Sequence, residues 1–221
     1  RDAGGNVYPF AGDLNDLFKF NKNAATWDNV SKGAGAYLTA ADDNWNFIRY
    51  GQRVIAANGY TDAIQNFLMG TDSVFSDLNA GAAPKAKHLG VIGDFVFSGD
   101  IAGGFPNRVH WCAVDDPTDW PTIGSADAAA KLSDRQDLAV GGAVQHITGA
   151  IGGSEGAIFL QKAIYRVQFD GPPTAFSFRL VEEDRGVYAK NSVVNIGNFG
   201  FYLSEDGFMS FDGTKSVPIG D

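Results

Sequence analysis

Apolar stretches recur along this chain in pairs, and each pair is joined by a short turn of small or polar residues. The turns are Gly51-Gln52, Gly93-Asp94, Gln161-Lys162 and Glu205-Asp206-Gly207. Apolar runs such as Phe95-Val96-Phe97 and Phe208-Met209-Ser210-Phe211 follow the turns directly. Two apolar runs that flank a tight turn indicate an antiparallel hairpin.

The spacing of these hairpins indicates a repeat. The first two turns and the last two turns are each separated by roughly 40–45 residues, which is the length of a four-stranded propeller blade. The middle interval is longer, and we expect an insertion or a degenerate copy there. The pattern predicts an all-β fold with β-propeller-like repeats of antiparallel strands and short helices in the connections. A β-sandwich-like or irregular β domain is the alternative.

Individual elements follow from the local periodicity. Alternating side chains predict strands over 163–169 and 174–181, with a turn at Asp170-Gly171-Pro172-Pro173 between them. A hairpin is predicted over 192–203, with Gly197-Asn198 as its turn. The Ala-rich stretch 125–132 reads as a short helix or an exposed loop between blades.

The N-terminal part of the chain is less regular. A helix is predicted over 14–22 behind the capping candidate Asp13. The stretch 61–68 fits a helix and a blade strand equally well. We therefore expect a loop- and helix-containing segment over 1–40 and a β-propeller-like domain over 41–221, both belonging to a fragment of a longer chain.

Composition and charge narrow the class of protein. The chain of 221 residues is 44% hydrophobic and 13% aromatic and contains 28 glycines, which favours β architecture over a helical bundle. The net charge of −9 argues against a surface that wraps nucleic acid, although DNA could pass through an acidic channel without adhering. The group Lys85, Lys87 and His88 is expected to be a solvated loop.

Three motifs resemble ligand sites but have simpler interpretations. Asp115, Asp116 and Asp119 could hold Mg²⁺ from one helix face, but Pro117 favours a turn instead. The glycines of 149–156 lack the lysine of a phosphate-binding loop, and a hairpin connection is expected. The stretch 213–216 is expected to be a hairpin tip.

The sequence contains few residues that could act as nucleophiles or metal ligands. None of His88, His110 and His146 has a second histidine at metal-ligand spacing, and His110 is expected to be packed or edge-facing. The single cysteine, Cys112, lies in an apolar stretch, which is typical of a cysteine buried in the core. A nucleophilic pair with a histidine distant in the sequence stays an alternative. We expect no catalytic, cofactor-binding or metal-ligating residues and no enzyme activity.

Carboxylates leave one enzymatic alternative open. Glycoside hydrolysis needs two suitably spaced carboxylates. The candidates near predicted turns are Asp42, Asp43, Glu155, Glu182, Glu183 and Asp184. A glycan-binding or glycan-cleaving propeller is therefore the alternative function.

The order of several motifs resembles a known family. The motifs span 45–59, 93–97, 108–120, 156–172, 186–194, 201–213 and 218–220. Representative stretches are Trp45-Asn46-Phe47-Ile48-Arg49-Tyr50-Gly51, Arg108-Val109-His110-Trp111 and Phe201-Tyr202-Leu203-Ser204-Glu205-Asp206-Gly207-Phe208. In order and spacing over about residues 45–220, they resemble the packaged-DNA stabilisation and tail-nozzle proteins of short-tailed bacteriophages. Family members are usually longer and often have Trp-Ser where this chain has Trp111-Cys112.

The resemblance implies a virion structural protein of the phage tail. It implies a homo-oligomeric ring, expected to be sixfold, that contacts the portal, the adaptor and other tail proteins. Such a ring retains packaged double-stranded DNA and conducts it during ejection, without insertion into a membrane. The resemblance carries no catalytic residues or cofactor to this chain.

Overall fold

The computed structural model describes residues 4–151 and 156–220, and the strands in these residues form five antiparallel sheets. Each sheet is a meander, because its strands lie side by side in chain order. The fold is therefore all-β, as the hairpin pattern predicts.

The strands are grouped as follows. Sheet one contains β1 (Phe10–Gly12), β2 (Leu17–Asn21) and β3 (Thr26–Asn29). Sheet two contains β4 (Asn46–Tyr50), β5 (Arg53–Ala57), β6 (Gln65–Leu68) and β7 (Ser76–Asp77). Sheet three contains β8 (Ala86–Ile92), β9 (Phe95–Ile101), β10 (Phe105–Trp111) and β11 (Arg135–Asp137). Sheet four contains β12 (Val144–Gly149), β13 (Gly156–Leu160), β14 (Ala163–Gly171) and β15 (Ala175–Glu183). Sheet five contains β16 (Val194–Ile196), β17 (Phe199–Ser204), β18 (Gly207–Phe211) and β19 (Ser216–Pro218).

The chain divides into two compact units, Arg1–Leu89 and Gly90–Asp221, and the division falls within β8. A short helix, α1 (Ala126–Ala130), lies in the connection from β10 to β11, and a 3-10 turn, Leu78–Gly81, follows β7. No helix in the described part of the chain is long and apolar enough to span a membrane. The predicted boundary between residues 40 and 41 stays a prediction.

The core of the first unit lies between sheets one and two. Leu17 of β2 and Phe67 of β6 are fully buried there, and Phe10 of β1 contacts Phe67 edge-on, with ring centroids 5.5 Å apart. Tyr37 is also fully buried, and its hydroxyl donates to Gln65 Oε1 at 2.9 Å. Burial raises the pKa of Tyr37 to about 12, so this hydroxyl remains a donor at physiological pH.

Sheets three and four of the second unit pack through aromatic side chains. Phe176 of β15 contacts Phe95, Phe97 and Trp111 of sheet three, with centroid distances of 4.9, 5.0 and 5.4 Å. Edge-to-face contacts of this kind add about 0.5–1.5 kcal/mol each to the burial of area. Gly90 of β8 allows the sheets to approach, because a Cβ there would overlap the carbonyl oxygen of Ile147.

Sheets four and five pack through a second apolar cluster. Phe159 of β13 lies against Tyr202 of β17 and Phe211 of β18, with centroid distances of 5.5 and 5.6 Å. All three side chains are at most 2% exposed. One face of sheet five is therefore buried against sheet four.

The helix predicted over 14–22 is wrong. Residues 17–21 form strand β2, whose side chains alternate: Leu17 packs into the core while Phe18 pairs across the strands with Asn29. Asp13 does not begin a helix. Its carboxylate accepts from the N–H groups of Asn15 and Asp16 and so closes a turn ahead of β2.

Most of the other local predictions are confirmed. The strand interpretation of 61–68 holds as β6, and the strands predicted over 163–169 and 174–181 are β14 and β15. The hairpin predicted over 192–203 is the pair β16 and β17. The helix interpretation of 125–132 holds as α1, where the Ser125 hydroxyl accepts from the N–H of Ala128.

The long middle interval between the hairpin turns has two causes, one of them the predicted insertion. The turns at Gly51 and Gly93 join the first and second strands of sheets two and three. The turns at Lys162 and Asp206 join the second and third strands of sheets four and five. The recurring hairpin shifts by one strand between sheets three and four, and the connection over 112–134 between β10 and β11 adds further length. This connection is the predicted insertion.

The expectation of a solvated loop at Lys85, Lys87 and His88 holds only for Lys85, which is exposed and precedes β8. Lys87 and His88 belong to strand β8, and His88 is only 6% exposed. The Lys87 ammonium forms an ion pair with Asp43 at 2.9 Å, and the Lys85 ammonium donates to the carbonyl of Thr61. Both ammonium groups therefore bind neighbouring residues of the first unit.

Candidate interaction surface

Sheet five carries apolar side chains on both of its faces. In β17, Gly200, Tyr202 and Ser204 are buried and face sheet four. The alternate residues Phe199, Phe201 and Leu203 point to the opposite face, because successive strand side chains alternate.

The strand register continues this opposite face across the sheet. Phe201 lies opposite Val194 of β16 and Ser210 of β18, and Leu203 lies opposite Phe208. Ser210 lies in turn opposite Val217 of β19. We call the resulting surface the sheet-five face, and it consists of Val194, Ile196, Phe199, Phe201, Leu203, Phe208, Ser210 and Val217.

The sheet-five face is exposed and carries no charged side chain. Phe208 is 68% exposed, Ile196 64% and Val194 57%. Scattered apolar side chains are common on protein surfaces, but a contiguous apolar patch marks an interaction site. The sheet-five face is therefore the candidate interaction surface of this chain.

Polar contacts hold the edge of sheet five in place. The Tyr202 hydroxyl hydrogen-bonds Ser216 Oγ at 2.7 Å, and the Glu182 carboxylate accepts from the N–H of Ser216. Arg185 forms ion pairs with Asp206 at 3.1 Å and with Glu182 at 3.6 Å. Burial raises the pKa of Tyr202, so its hydroxyl keeps its proton. These hydrogen bonds and ion pairs therefore stabilise the sheet that carries the sheet-five face.

The three clustered aspartates form a turn, as predicted. The carboxylate of Asp116 accepts from both the N–H and the hydroxyl of Thr118. Asp119 forms an ion pair with Lys131 at 2.7 Å. Across the described residues, no group of three His, Cys, Asp or Glu side chains is arranged to hold a metal ion.

The two Gly-rich stretches have different outcomes. The loop 149–156 includes residues 152–155, which lie outside the described residues, so its predicted role as a hairpin connection stays a prediction. The stretch 213–216 joins β18 to β19, as predicted for a hairpin tip. There the Asp212 carboxylate accepts from the hydroxyl of Thr214 and from the N–H groups of Lys215 and Thr214, and these bonds lower its pKa.

The histidines and the cysteine are packed groups. His110 contacts Trp120 edge-on at 5.2 Å, and within the described residues its buried Nε2 has no hydrogen-bond partner. Burial, with Arg135 and Arg108 nearby, lowers the pKa of His110 to about 4; burial alone does the same for His146. Cys112 is fully buried, and burial raises its pKa to about 12, so it is not a nucleophile in the folded chain.

The candidate glycosidase carboxylates divide between the two units. Asp42 and Asp43 belong to the first unit, and Asp43 is paired with Lys87. In the second unit, Glu182 and Glu183 end β15 and Asp184 follows it. Glu182 is engaged by Ser216 and Arg185. Glu155 lies outside the described residues. The glycan alternative stays a prediction.

The sheet topology defines a β-propeller-like protein, and comparison with solved structures agrees. The chain is similar to YCF48 bound to a D1 peptide, with a TM-score of 0.57 and 11% identity over 94% of this chain and 61% of that chain. It is similar to the dihydro-heme d1 dehydrogenase NirN in complex with DHE, with a TM-score of 0.58 and 13% identity over 99% of this chain and 44% of that chain. The chain thus spans less than two thirds of either protein.

At these identities the likeness extends to the fold alone, and the β-propeller-like fold predicted from the repeats is confirmed. No protein-family model and no curated protein matches the chain.

Proposed function

We propose that this chain is a structural subunit of the tail nozzle of a short-tailed bacteriophage. It assembles with copies of itself into a sixfold ring that retains packaged DNA and conducts it during ejection. The order and spacing of its motifs support the family, and the sheet-five face is the observation that supports assembly. The role is non-enzymatic and needs no cofactor.

The sheet-five face favours assembly for an energetic reason. Each large apolar side chain is stabilised by about 1.5–3 kcal/mol when it is moved from water into a packed interface. The exposed fractions of Phe208, Ile196 and Val194 leave over half of that gain unused in the single chain. A closed ring uses such a surface once on every subunit.

The charge of the chain fits a conduit for DNA. With 26 acidic and 17 basic side chains, a ring of copies repels phosphate overall and does not hold the duplex by counterion release. DNA could then slide through it. The proposed location is the virion tail, below the portal and adaptor rings.

The test measures mass in solution by light scattering coupled to size exclusion. We expect a ring-sized species, formed alone or after addition of portal or adaptor rings. Val217→Asp places a charge on the sheet-five face, and Val74→Asp is a matched control, because the two valines are 45% and 46% exposed. Val217→Asp should prevent assembly while the control assembles normally.

Two results would contradict the proposal. One is a wild-type chain that stays monomeric and ignores portal and adaptor rings. The other is a folded Val217→Asp variant that assembles as well as the Val74→Asp control. Circular dichroism and thermal unfolding of both variants establish that they are folded.

A further inference from the structure

A cavity in the first unit lies beside the ring of Tyr8, and we call it the Tyr8 cavity. Its volume is about 290 Å³, close to the lower end of the range for small-ligand pockets. It is lined by Asn6, Tyr8, Lys19, Phe20, Asn21, Lys22, Asn23 and Asp28. The lining mixes amides, two ammonium groups, one carboxylate and two aromatic rings.

The wall of the Tyr8 cavity is fixed by the turn between β2 and β3. The Asn21 side chain accepts from the N–H groups of Asn23 and Ala24 and donates to the Asp28 carboxylate at 3.0 Å. The N–H of Phe20 donates to the carbonyl of Pro9, which fastens the segment before β1 to the hairpin. Hydrogen bonds within the chain therefore fix the wall of the cavity.

The two lysines converge on one aromatic ring. The Lys19 ammonium lies 5.0 Å from the centroid of Tyr8 and 5.4 Å from that of Phe67. The Lys22 ammonium lies 5.6 Å from the centroid of Tyr8. Attraction to the electron-rich ring faces holds both cations near the cavity, within reach of a single bound molecule.

Neither ammonium is neutralised within the described residues. The ion pairs there include neither Lys19 nor Lys22, although the chain carries 26 acidic side chains. Two like charges held close together repel each other, and an anionic group bound between them would relieve that repulsion.

We propose that the Tyr8 cavity binds an acidic saccharide. The sugar carboxylate lies between Lys19 and Lys22, and the ring hydroxyls bond the amides of Asn6 and Asn23 and the carboxylate of Asp28. Asp28 and the net charge of −9 disfavour a polyanion such as nucleic acid, since each adds repulsion to a phosphate chain. This site goes beyond the proposed ring and does not depend on it.

The test is calorimetric titration of the full chain with uronic-acid and sialic-acid oligosaccharides. Neutral oligosaccharides of the same length, inorganic phosphate and a single-stranded DNA oligonucleotide serve as comparisons. We expect at least one acidic saccharide to bind at least tenfold more tightly than its neutral counterpart. Binding should weaken as salt rises, because charge attraction contributes to it.

Variants separate the site from the rest of the surface. Lys22→Gln should weaken binding about tenfold, and Lys19→Gln should do so as well. Lys162→Gln is the control, because Lys162 is exposed and lies outside the cavity. Lys19 packs between two rings and could affect folding, so Lys22→Gln decides the outcome, with unchanged thermal unfolding as its check.

Three results would overturn the proposal. The first is equal binding of acidic and neutral saccharides, and the second is no binding of any acidic saccharide at millimolar concentration. The third is tighter binding of phosphate or DNA that depends on Lys22, which would make the cavity a phosphate site. None of these results bears on ring assembly, which the sheet-five variants test separately.

Discussion

Acidification should destabilise this protein well above the pH at which carboxylates titrate. His110 and His146 have an ordinary pKa of 6.5 that burial lowers to about 4 in the folded chain. As pH falls below about 6.5, the unfolded chain binds protons that the folded chain does not. The free energy of unfolding therefore falls from about pH 6.5 downward and levels off below about pH 4.

The size of the effect follows from these two pKa values. At pH 5 each histidine lowers the free energy of unfolding by up to about 2 kcal/mol relative to pH 7.5, and the two together by up to about 4 kcal/mol. Carboxylates with lowered pKa, such as Asp137 and Asp212, lose their contribution only as pH falls below their ordinary value of 3.8. Measurements between pH 5 and 7.5 therefore separate the effect of the histidines from that of these carboxylates.

The assay is urea unfolding of the full chain at half-unit intervals of pH between 5 and 7.5. His110→Asn and His146→Gln should each remove about half of the slope, and the double variant most of it. The slope is compared rather than the absolute stability, because either substitution also alters packing. A double variant that keeps the wild-type slope would refute the assignment of the effect to these two rings.

Three further predictions concern single positions. Gly186→Ala should destabilise by several kcal/mol in thermal or urea unfolding, because its Cβ would overlap the carbonyl oxygen of Leu160, while Gly33→Ala, whose Cβ has room, should change stability little. The Cys112 thiol should resist Ellman's reagent in the folded chain and react fully in urea, because it is buried and its pKa is raised to about 12; fast reaction without urea would contradict this. Ser125→Ala should lower the free energy of unfolding by about 1 kcal/mol through loss of the cap of α1, and an unchanged stability in urea would contradict this.

The sequence predicts the strands of sheets four and five well, because their apolar residues alternate and their turns contain glycine. It fails over 14–22 for a definable reason. Leu14, Leu17 and Phe18 have the spacing of residues on one face of a helix. The alternation of Leu17 and Lys19 with Phe18 and Phe20 fits a strand equally well. The contact of sheet one with sheet two decides between them, and that contact is not local in sequence.

The two candidate surfaces could not be found from the sequence. Along β17 the residues of both faces include aromatic side chains, so periodicity cannot tell which face packs on sheet four and which remains exposed. The Tyr8 cavity depends on Lys19 lying between Tyr8 and Phe67, which are far apart in the chain.

The position of the recurring hairpin turns inside the sheets has a consequence for anyone who shortens or extends this chain. A segment cut from one hairpin turn to the next, such as Gly51 to Gly93 or Lys162 to Asp206, contains the last strands of one sheet and the first strands of another. Such a module would fold with unpaired strand edges on both sides and would be prone to aggregate. Modules for duplication or exchange should instead begin and end in the connections between sheets, where the chain passes from one meander to the next.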